Sequence, residues 1–535
     1  MTHITIIDCY TDEPSGFGVP PYLGVFPRYI AGYLKKRNPD ATITYLTVDD
    51  LRATDPTYIK LKKSENTDVF VYNKTGHHAP SILKKTDQLY VVVGVQVPGK
   101  YLSAVPGTFK EITTLLERHG VFTQKGGKKV HSLSRMVFAG PAMSDFGSQA
   151  QGGKFAEAAT EIIKETMENV HVMPEAFFTN YATIKDYAKS GAEIVYPQFP
   201  KPCIIELETS RGCYRTINCS YCTEPLADRQ SFREQEDIVN ELKVFYDLGQ
   251  RHFRFGRQTC FFSYKRHNPA ELEKLFVMTW QACPDIKVLH IDNVDPVRVV
   301  TRHGIEMTKL TVKYCTPGNI APMGVETFDA DVVRKNDLNA MPSVSLKAIE
   351  ILNEHGKEYG ENGMPKFLPG INILFGLIGE SKQTHKANMD CFTQVVQNDW
   401  FVRRINIRQV VPFYGTKLYN EAKNKFIKKN KAHYFSWRKQ IRDEIDTTLL
   451  QKMFPVGHVI TDCMAEVYKD GVTYFRQLAT YPLIIGVKGK FEQKKFYDLR
   501  ISNNMKRSLV GDVICLSKDQ FYPHAHTLNE DERKV

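Results

Sequence analysis

Short apolar runs alternate with amphipathic helical patterns along the N-terminal part of the chain. The runs with strand character are Ile4–Ile7, Ile43–Val48, Leu89–Val95 and Met136–Ala139. The helical patterns between or after them are Pro27–Lys36, Thr108–Arg118 and Lys154–Glu168. This alternation predicts a doubly wound parallel sheet, a Rossmann-like α/β domain, over residues 1–195. No Gly-x-Gly-x-x-Gly follows the first strand, so the pattern does not support dinucleotide binding.

A second alternation of strands and helices begins near Cys203. Its candidate strands are Cys203–Glu208, His252–Arg257, Val288–Val294, Pro322–Glu326, Ile371–Leu377 and Arg404–Val411. Six strand–helix units predict a partial (β/α)6 barrel of the TIM type over residues 196–416. Because barrels of this type carry their chemistry at the C-terminal ends of the strands, the loops after these strands are the place to look for a site.

The pattern changes again in the last part of the chain. Residues 417–455 are polar with helical spacing, which predicts a helical connector. From 456 to 517 the sequence reads as short strands around tight turns, such as Asp470-Gly471 between Met464–Val467 and Thr473–Phe475. We therefore expect a small C-terminal β-barrel, followed by a polar tail at 518–535.

Composition narrows the class of protein only modestly. The 535 residues include 71 basic and 60 acidic side chains, and the net charge of +11 permits a polyanionic partner without requiring one. Eleven scattered cysteines are too few for a disulfide scaffold, which favours a reducing compartment. The chain shows neither a signal peptide nor an apolar stretch of membrane-spanning length, so we expect a cytoplasmic protein without membrane contact. Oligomeric state is not indicated by the sequence.

Three cysteines fall within ten residues, directly after the first strand of the second alternation. They are Cys213, Cys219 and Cys222. Three thiolates on one loop can hold three corners of a [4Fe-4S] cluster and leave the fourth iron open to a ligand. The alternative is a structural zinc ion, which needs a fourth ligand; the nearest histidine in sequence, His252, lies inside a predicted strand.

With Tyr221 beside the third cysteine, this loop resembles the signature of the radical S-adenosylmethionine (SAM) superfamily. That signature has three residues between its first two cysteines, whereas this chain has five. Over nearly its full length the chain resembles a group of archaeal radical SAM proteins, especially across Glu206–Pro225, His290–Pro296 and Arg403–Thr416. The resemblance implies a [4Fe-4S] cluster, SAM as cofactor, reductive cleavage of SAM to a 5′-deoxyadenosyl radical, and a low-potential electron donor such as ferredoxin or flavodoxin.

The resemblance also assigns residues to SAM. The implied cofactor-binding residues are Gly256, Gln258, Gly324, Glu326, Ile373, Gly376 and Pro412. Among them, the segment Ile373–Gly376 resembles the adenine contact, and Glu326 resembles a contact to the ribose or methionine part. The family's glycine-rich segment after the second strand is replaced here by Phe255-Gly256-Arg257-Gln258, in which Gln258 is the candidate contact to the methionine amine.

Several predicted barrel strands alternate apolar and charged residues, although buried parallel strands are usually apolar throughout. Residues two apart share a face, so Glu206 with Glu208, His252 with Arg254, His290 with Asp292, and Arg404 with Asn406 and Arg408 form same-face sets. We interpret these sets as a polar channel with catalytic candidates His290, Asp292, Arg404 and Arg408. The histidine and aspartate would transfer protons or orient substrate, and the arginines would receive a carboxylate or phosphate. The alternative is that these charges pair with one another or face outward.

The order of the domains resembles two kinds of radical SAM family. In tRNA methylthiotransferases the last domain is an RNA-binding TRAM module, which Ala465–Arg476 and Ser508–Asp512 resemble, and this makes tRNA or another RNA a candidate substrate. Cobalamin-dependent methyltransferases acting on other substrates are the alternative, because Val19–Gly24 and Tyr29–Leu34 resemble the first loop and helix of a cobalamin-binding domain. Methylthiotransferases use three further N-terminal cysteines, where this chain has only Cys9, and the cobalamin-ligating Asp-x-His-x-x-Gly motif is absent. A noncatalytic iron–sulfur protein that binds RNA is a hypothesis of a different class.

Overall fold

The computed structural model describes residues 1–10, 22–57, 72–94, 105–143, 159–173, 175–178, 180–227, 230–518 and 520. Within these ranges the chain forms a parallel sheet, a set of barrel strands, a helical connector and a closed β-barrel, in that order. Among the residues with described structure, no helix combines the length and the apolarity needed to cross a bilayer.

The N-terminal part is built on a five-stranded parallel sheet with strand order β3-β1-β4-β7-β8. Its strands and the short ones near it are β1 (His3–Asp8), β2 (Tyr22–Leu23), β3 (Thr42–Thr47), β4 (Gln88–Val92), β5 (Thr123–Lys125), β6 (Lys128–Val130), β7 (Arg135–Ala139) and β8 (Val170–Val172). The helices are α1 (Val25–Arg37), α2 (Val48–Thr54), α3 (Ala79–Lys85), α4 (Phe109–Arg118), α5 (Ala159–Thr166) and α6 (Tyr181–Val195). Ile6 packs with α1 and α6, whereas Ile7 packs with α2 to α5, so helices cover both faces of the sheet as the sequence predicts.

All six predicted barrel strands are present and parallel, but they form two sheets. The elements are β9 (Ile204–Glu208), β10 (Ser210–Arg211), β11 (Ser231–Phe232), β12 (His252–Gly256), β13 (Val288–Ile291), β14 (Asn319–Glu326), β15 (Phe367–Phe375) and β16 (Arg404–Gln409). One sheet has the order β13-β12-β9-β2 and the other β14-β15-β16. They meet where the Val294 amide donates to the Pro322 carbonyl at 3.0 Å.

Helices alternate with these strands. They are α7 (Glu224–Ala227), α8 (Gln235–Asp247), α9 (Pro269–Ala282), α10 (Pro296–Val299), α11 (Arg302–Tyr314), α12 (Ala330–Lys335), α13 (Pro342–Gly356) and α14 (Lys382–Gln397). The sequence did not predict β2, which comes from the N-terminal part and adds to the edge of β9. Of the cobalamin-like segment Val19–Gly24, residues 19–21 lie outside the described residues and the next two form β2.

A helical connector leads into a closed five-stranded barrel of order β17-β18-β19-β21-β20. The connector contains α15 (Lys417–Glu421), α16 (Lys425–Gln440), a π-helical segment (Ile441–Asp446) and α17 (Thr447–Met453). The strands are β17 (Val459–Lys469), β18 (Val472–Gln477), β19 (Ile485–Lys488), β20 (Phe496–Asn504) and β21 (Leu509–Leu516). Asp470 and Gly471 have φ angles of 51° and 84°, the left-handed conformation that a two-residue hairpin requires at both central positions.

The C-terminal barrel packs against the N-terminal ends of the central strands. Leu478 and Tyr481, in the segment between β18 and β19, form one apolar cluster with Ile204 at the start of β9 and Ile320 near the start of β14. We call residues 478–483 the floor segment. It closes the end of the central strands opposite to the end that carries the three cysteines.

A buried ionic network joins the N-terminal part to the central strands. Arg28 of α1 donates to Glu241 of α8 at 2.6 Å and to the backbone carbonyl of Glu206 in β9. Arg233 donates to the second oxygen of Glu241 at 2.7 Å. Burial alone would raise the pKa of Glu241, but the two guanidinium groups lower it below its usual value. A buried charge needs such partners, so this network fixes α1 against the barrel.

Helices α1 and α6 approach each other through two glycines. A Cβ on Gly191 would lie 1.7 Å from the carbonyl oxygen of Arg28, and one on Gly32 would lie 2.1 Å from the carbonyl oxygen of Tyr187. Neither position has room for a side chain, because the atoms it would meet belong to the backbone.

We expect Gly191→Ala to lower the midpoint of thermal unfolding, because the new methyl group forces the two helices apart at a cost of about 1–3 kcal/mol. Differential scanning calorimetry measures this midpoint. The control is Lys189→Ala, at an exposed position of α6. Equal midpoints for the two variants would contradict the close packing of α1 on α6.

Candidate functional site

The cysteine loop begins at the C-terminal end of the first central strand, after the short strand β10. Gly212 precedes the first cysteine with a φ of +75°, a conformation that glycine adopts without strain. Its carbonyl accepts a hydrogen bond from the Thr259 hydroxyl at 3.0 Å, and its amide donates to Glu224 at 3.3 Å. These contacts hold the start of the loop against Thr259, in the segment after β12, and against Glu224, at the start of the helix that follows the loop.

Further hydrogen bonds fix the middle of the loop. Ser220 donates to the side chain of Asn336 at 2.7 Å and to its backbone carbonyl at 2.8 Å. The carbonyl of Ser220 accepts from the Leu418 amide at 2.7 Å. The loop between Cys219 and Cys222 is therefore held by the segment after α12 and by α15, both of which are remote in sequence.

The three thiols are partly buried and close enough to affect one another's ionisation. Burial raises the pKa of Cys213, raises that of Cys219 to about 11 and raises that of Cys222 to about 12. A bound cation reverses this effect, because metal-bound thiols are thiolates. The three cysteine side chains are therefore neutral thiols without a metal and thiolates when a metal is bound.

The chemistry of the donors fits an iron–sulfur cluster. Three cysteine sulfurs lie on one loop, and cysteine thiolates are the ligands that iron–sulfur clusters use. Among the residues with described structure, no group of three or more histidine, cysteine or acidic side chains is close enough together to hold a single metal ion.

Arg215 lies within the loop and contacts a ligand sulfur. Its Nη1 donates to Cys219 Sγ at 2.8 Å, and its Nη2 donates to the Asp337 carbonyl at 2.8 Å. Hydrogen bonds to cluster sulfurs tune the reduction potential, and a cation stabilises the thiolate. The sequence interpretation missed this residue, although a basic residue between two metal-binding cysteines is a usable signal.

The fourth central strand brings two of the predicted SAM residues to the cysteine loop. Gly324 is exposed although it lies within a strand, so its backbone borders open space. Glu326 is buried with a φ of +62°, a strained conformation for a residue with a side chain. Burial, the charge of Glu326 and a hydrogen bond to it raise the pKa of Tyr221, next to the third cysteine, far above its usual value.

On the fifth strand the predicted contacts differ in their surroundings. The side chain of Ile373 is fully buried in the core, so only its backbone can reach a cofactor. Leu374 instead packs in the cluster that includes Cys219 and Tyr221. Gly376, with a φ of +100°, turns the chain where a Cβ would lie 2.4 Å from Ile427 of α16. Leu374, which lies within the predicted segment Ile373–Gly376, is therefore a member of that segment whose side chain packs beside the cysteine loop.

The remaining predicted SAM residues are held by local contacts. A Cβ on Gly256 would lie 2.2 Å from the carboxylate of Glu206, so glycine is needed there for packing. Gln258 is buried, accepts from the Thr209 hydroxyl at 3.2 Å and donates to the Phe255 carbonyl at 3.2 Å. Pro412 is buried after β16. The partners in these contacts of Gly256 and Gln258 are residues other than the three cysteines.

Charged side chains inside the barrel pair with one another, as the alternative interpretation holds. Glu206 bonds Arg254 at 2.5 Å, and Arg254 approaches Asp292 at 3.8 Å. Glu208 pairs with Arg211. These contacts make the channel narrower and less charged than the same-face sets alone suggest.

The structure places three of the four catalytic candidates against the floor segment and the fourth nearer the other end of its strand. His290 is fully buried and its Nδ1 lies 3.1 Å from Thr480 of the floor segment, and burial lowers its pKa to about 4. Arg404 lies over the ring of Tyr481 at 4.4 Å. Asp292 accepts a hydrogen bond from the Tyr481 hydroxyl at 3.3 Å. Arg408 alone lies near the C-terminal end of its strand, in register with Leu374.

Comparisons with known proteins give two relatives of similar length. No protein-family profile matches the chain. It is 37% identical to the uncharacterized protein MJ0274 of Methanocaldococcus jannaschii, over 95% of this chain and 93% of that one. It is 38% identical to an uncharacterized protein of Archaeoglobus fulgidus, over 95% of this chain and 89% of that one.

Similar solved structures include several radical SAM enzymes. The methyltransferase TsrM of Kitasatospora setae, with cobalamin and a [4Fe-4S] cluster bound, has a TM-score of 0.40 and 13% identity, covering 78% of this chain and 77% of that one. The cobalamin-dependent enzyme OxsB with aqua-cobalamin bound has a TM-score of 0.47 and 11% identity, covering 82% and 56%. HemN of Escherichia coli has a TM-score of 0.29 and 11% identity, covering 59% and 73%.

Glu380 offers a pH test of how the fifth strand ends. Its carboxylate accepts a hydrogen bond from the Gly376 amide, and burial raises its pKa to about 7. The folded protein therefore holds this proton more tightly than the unfolded chain does. Wild-type stability should fall as pH rises from about 4.5 to 7 and stay level above that.

Glu380→Gln should remove this loss, because the amide oxygen still accepts from Gly376 and carries no charge. At pH 8 we expect the variant to be more stable than wild type by on the order of 3 kcal/mol, and at pH 4.5 to match it. Thermal unfolding across pH, with exposed Glu421→Gln as control, measures the difference. Parallel pH profiles for wild type and Glu380→Gln would show that the turn does not depend on this proton.

Proposed function

This chain belongs to the same protein family as MJ0274 of M. jannaschii and the A. fulgidus protein, and we propose that it is a radical SAM enzyme. The observation that carries the proposal is the loop of three thiols at the C-terminal end of β9, which offers a cluster three sulfur ligands. Three protein ligands leave the fourth iron for the cofactor.

We assign the cluster to Cys213, Cys219 and Cys222, and SAM to the space beside them. When bound, the reduced cluster supplies the electron that cleaves SAM to a 5′-deoxyadenosyl radical. Arg215 stabilises the negative charge on Cys219 through the 2.8 Å hydrogen bond. Gly324, which has no side chain, leaves room for the cofactor, and Glu326 holds a polar group of it.

The other cofactor residues act from neighbouring strand ends. When SAM is bound, the segment Ile373–Gly376 at the end of β15 would contact adenine, and the side chain of Leu374 would offer it an apolar surface. Gly256, Gln258 and Pro412 shape the surrounding wall. Gln258 now bonds Thr209 and Phe255. To contact the methionine amine directly, its side chain would have to exchange these hydrogen bonds for bonds to the cofactor.

Substrate enters the same chamber and meets the polar residues above the floor segment. Arg408 and Asn406 lie on one face of β16, and Asn406 donates to Asn372 at 3.2 Å. We propose Arg408 as the group that receives a substrate carboxylate or phosphate. The floor segment forms the lower wall of this chamber. It is oriented by His290, Asp292 and Arg404, because each of them contacts it.

SAM cleavage tests the assignment. After anaerobic reconstitution with iron and sulfide, dithionite and SAM should yield 5′-deoxyadenosine from wild type, and alanine at any of the three cysteines should reduce the yield to background because an iron ligand is lost. Chromatography of the nucleoside measures it. Cys260→Ala, a buried cysteine after β12, is the matched control and should stay within a few-fold of wild type. A wild-type yield at background, or equal loss in the control, would contradict the proposal.

The electron donor is proposed to dock beside the loop on a basic surface. Lys417 of α15 bonds the carboxylate of Asp337 at 2.6 Å, and the backbone carbonyl of the same residue accepts a hydrogen bond from Arg215. Residues 417–431 contain six lysines and one glutamate. Ile217 in the cysteine loop is 63% exposed and Tyr414 before α15 is 66% exposed, which supplies an apolar centre. This combination suits a small acidic protein such as ferredoxin or flavodoxin.

Reversing two charges tests this surface. The double variant Lys425→Glu/Lys428→Glu should slow SAM cleavage about tenfold at low salt when reduced ferredoxin is the donor, because it removes electrostatic attraction. Cleavage with dithionite should be unchanged, since the cluster is intact. Lys84→Glu/Lys85→Glu on exposed α3 makes the same charge change elsewhere. Equal rates for the two double variants with ferredoxin would place the donor on another surface.

Two finer assignments remain proposals. Exposed Lys488, Lys490, Lys494 and Arg500 on the C-terminal barrel support contact with RNA phosphates, as the TRAM-like sequence suggests. The doubly wound N-terminal sheet supports the alternative, a cobalamin-dependent methyltransferase. A noncatalytic iron–sulfur protein would not cleave SAM. Measuring SAM cleavage therefore distinguishes it from both of these enzymes.

A further inference from the structure

Four arginines meet where the central strands, the connector and the C-terminal barrel join. Arg403 and Arg404 stand at the start of β16, Arg442 belongs to the π-helical segment, and Arg507 lies between β20 and β21. Asp446 is the carboxylate among them: it bonds Arg442 and lies 3.9 Å from Arg507. We call these four the junction arginines.

Like charges lie close together among the junction arginines. Among the described residues their contacts include the carboxylate of Asp446, and the next carboxylate in the π-helical segment, Asp443, is already bonded by Lys439 and Lys506. Burial, followed by the charge of Arg404, lowers the pKa of Arg403 to about 10. Burial, followed by the charge of Arg442, lowers the pKa of Arg507 to about 9. Repulsion among like charges is therefore a cost of this arrangement.

Two hydrogen-bond donors in the cluster also lack acceptors. Nε of Arg403 and Nη2 of Arg404 are buried and have no hydrogen-bond partner among the described residues. The other groups of these side chains are engaged by Tyr481: its carbonyl accepts from Arg403 at 2.8 Å, and its ring lies under Arg404. Buried donors in native proteins normally have partners, so an acceptor from outside the chain is expected here.

We propose that the junction arginines bind a phosphate group. Phosphate carries close to two negative charges and offers oxygens in several directions, which matches planar guanidinium forks arriving from three elements. A carboxylate, with one charge and two oxygens in a plane, would leave most of the excess charge unbalanced. The side chains of Arg442 and Arg507 are 15% and 27% exposed, so the site can be reached from solvent.

This site is distinct from the proposed radical chamber. Arg404 is the first residue of β16, at the N-terminal ends of the central strands, whereas the cysteine loop follows the C-terminal end of β9. Arg403 and Arg404 both contact Tyr481, whose hydroxyl bonds Asp292 at 3.3 Å. Phosphate at the junction thus steadies the floor segment beneath the chamber. The ligand is inorganic phosphate or the phosphate of a small phosphomonoester, which share this chemistry.

Binding is tested on the full chain without cluster or SAM, so the outcome is independent of the proposed enzyme activity. Millimolar sodium phosphate should raise the thermal midpoint of wild type above its value in sodium chloride of equal ionic strength, because a ligand that binds only the folded state stabilises it. Titration calorimetry with phosphate and, separately, with glycerol 3-phosphate identifies the preferred source. A phosphate effect no larger than that of chloride would overturn the proposal.

Variants locate the site. Arg507→Gln should abolish the phosphate-dependent rise and, in chloride, unfold at or above the wild-type midpoint because repulsion is relieved. Arg302→Gln, at an exposed arginine of α11, should keep the full rise. If Arg507→Gln does not fold, Arg507→Lys retains the charge without the fork and should bind phosphate about tenfold more weakly. Unchanged binding in the Arg507 variant that folds, or equal loss in Arg302→Gln, would refute the site.

Discussion

The site depends on holding three thiols on one loop at a strand end. Side chains remote in sequence fix that loop: Asn336 and α15 bind Ser220, and Arg215 connects Cys219 to the segment after α12. The two extra residues between the first cysteines are accommodated because the loop is tied at both ends rather than packed throughout. Its middle, at Ile217, therefore stands in solvent.

The central strands divide the molecule into two ends with different tasks. The C-terminal ends carry the cysteines, the exposed Gly324 and the strained Glu326. The N-terminal ends are closed by the floor segment and bordered by the junction arginines. Through the floor segment, the C-terminal barrel closes the N-terminal ends of the central strands. It follows the connector directly in the chain.

Sequence patterns predicted the features that depend on residues close together in the chain. Strand periodicity located all six central strands, and cysteine spacing located the loop. Long-range contacts were beyond such patterns: β2 pairs with β9 from the other part of the chain, and Tyr481 reaches Asp292 from 189 positions away. For the same reason the spacing of His290 from Asp292 predicts that they share a strand face, but it cannot predict the contact of His290 with Thr480, 190 positions away. The resemblance located the segment Ile373–Gly376, but the packing of Leu374 with Cys219 and Tyr221 depends on the fold.

The central claim is that one iron of a four-iron cluster stays open to SAM. Electron paramagnetic resonance of the reconstituted, dithionite-reduced protein, recorded with and without SAM, tests it most directly. The account predicts the signal of a reduced [4Fe-4S] cluster whose shape changes when SAM is added, because the cofactor binds the open iron. A cluster signal that SAM leaves unaltered, or a zinc-filled site that yields no such signal, would contradict it.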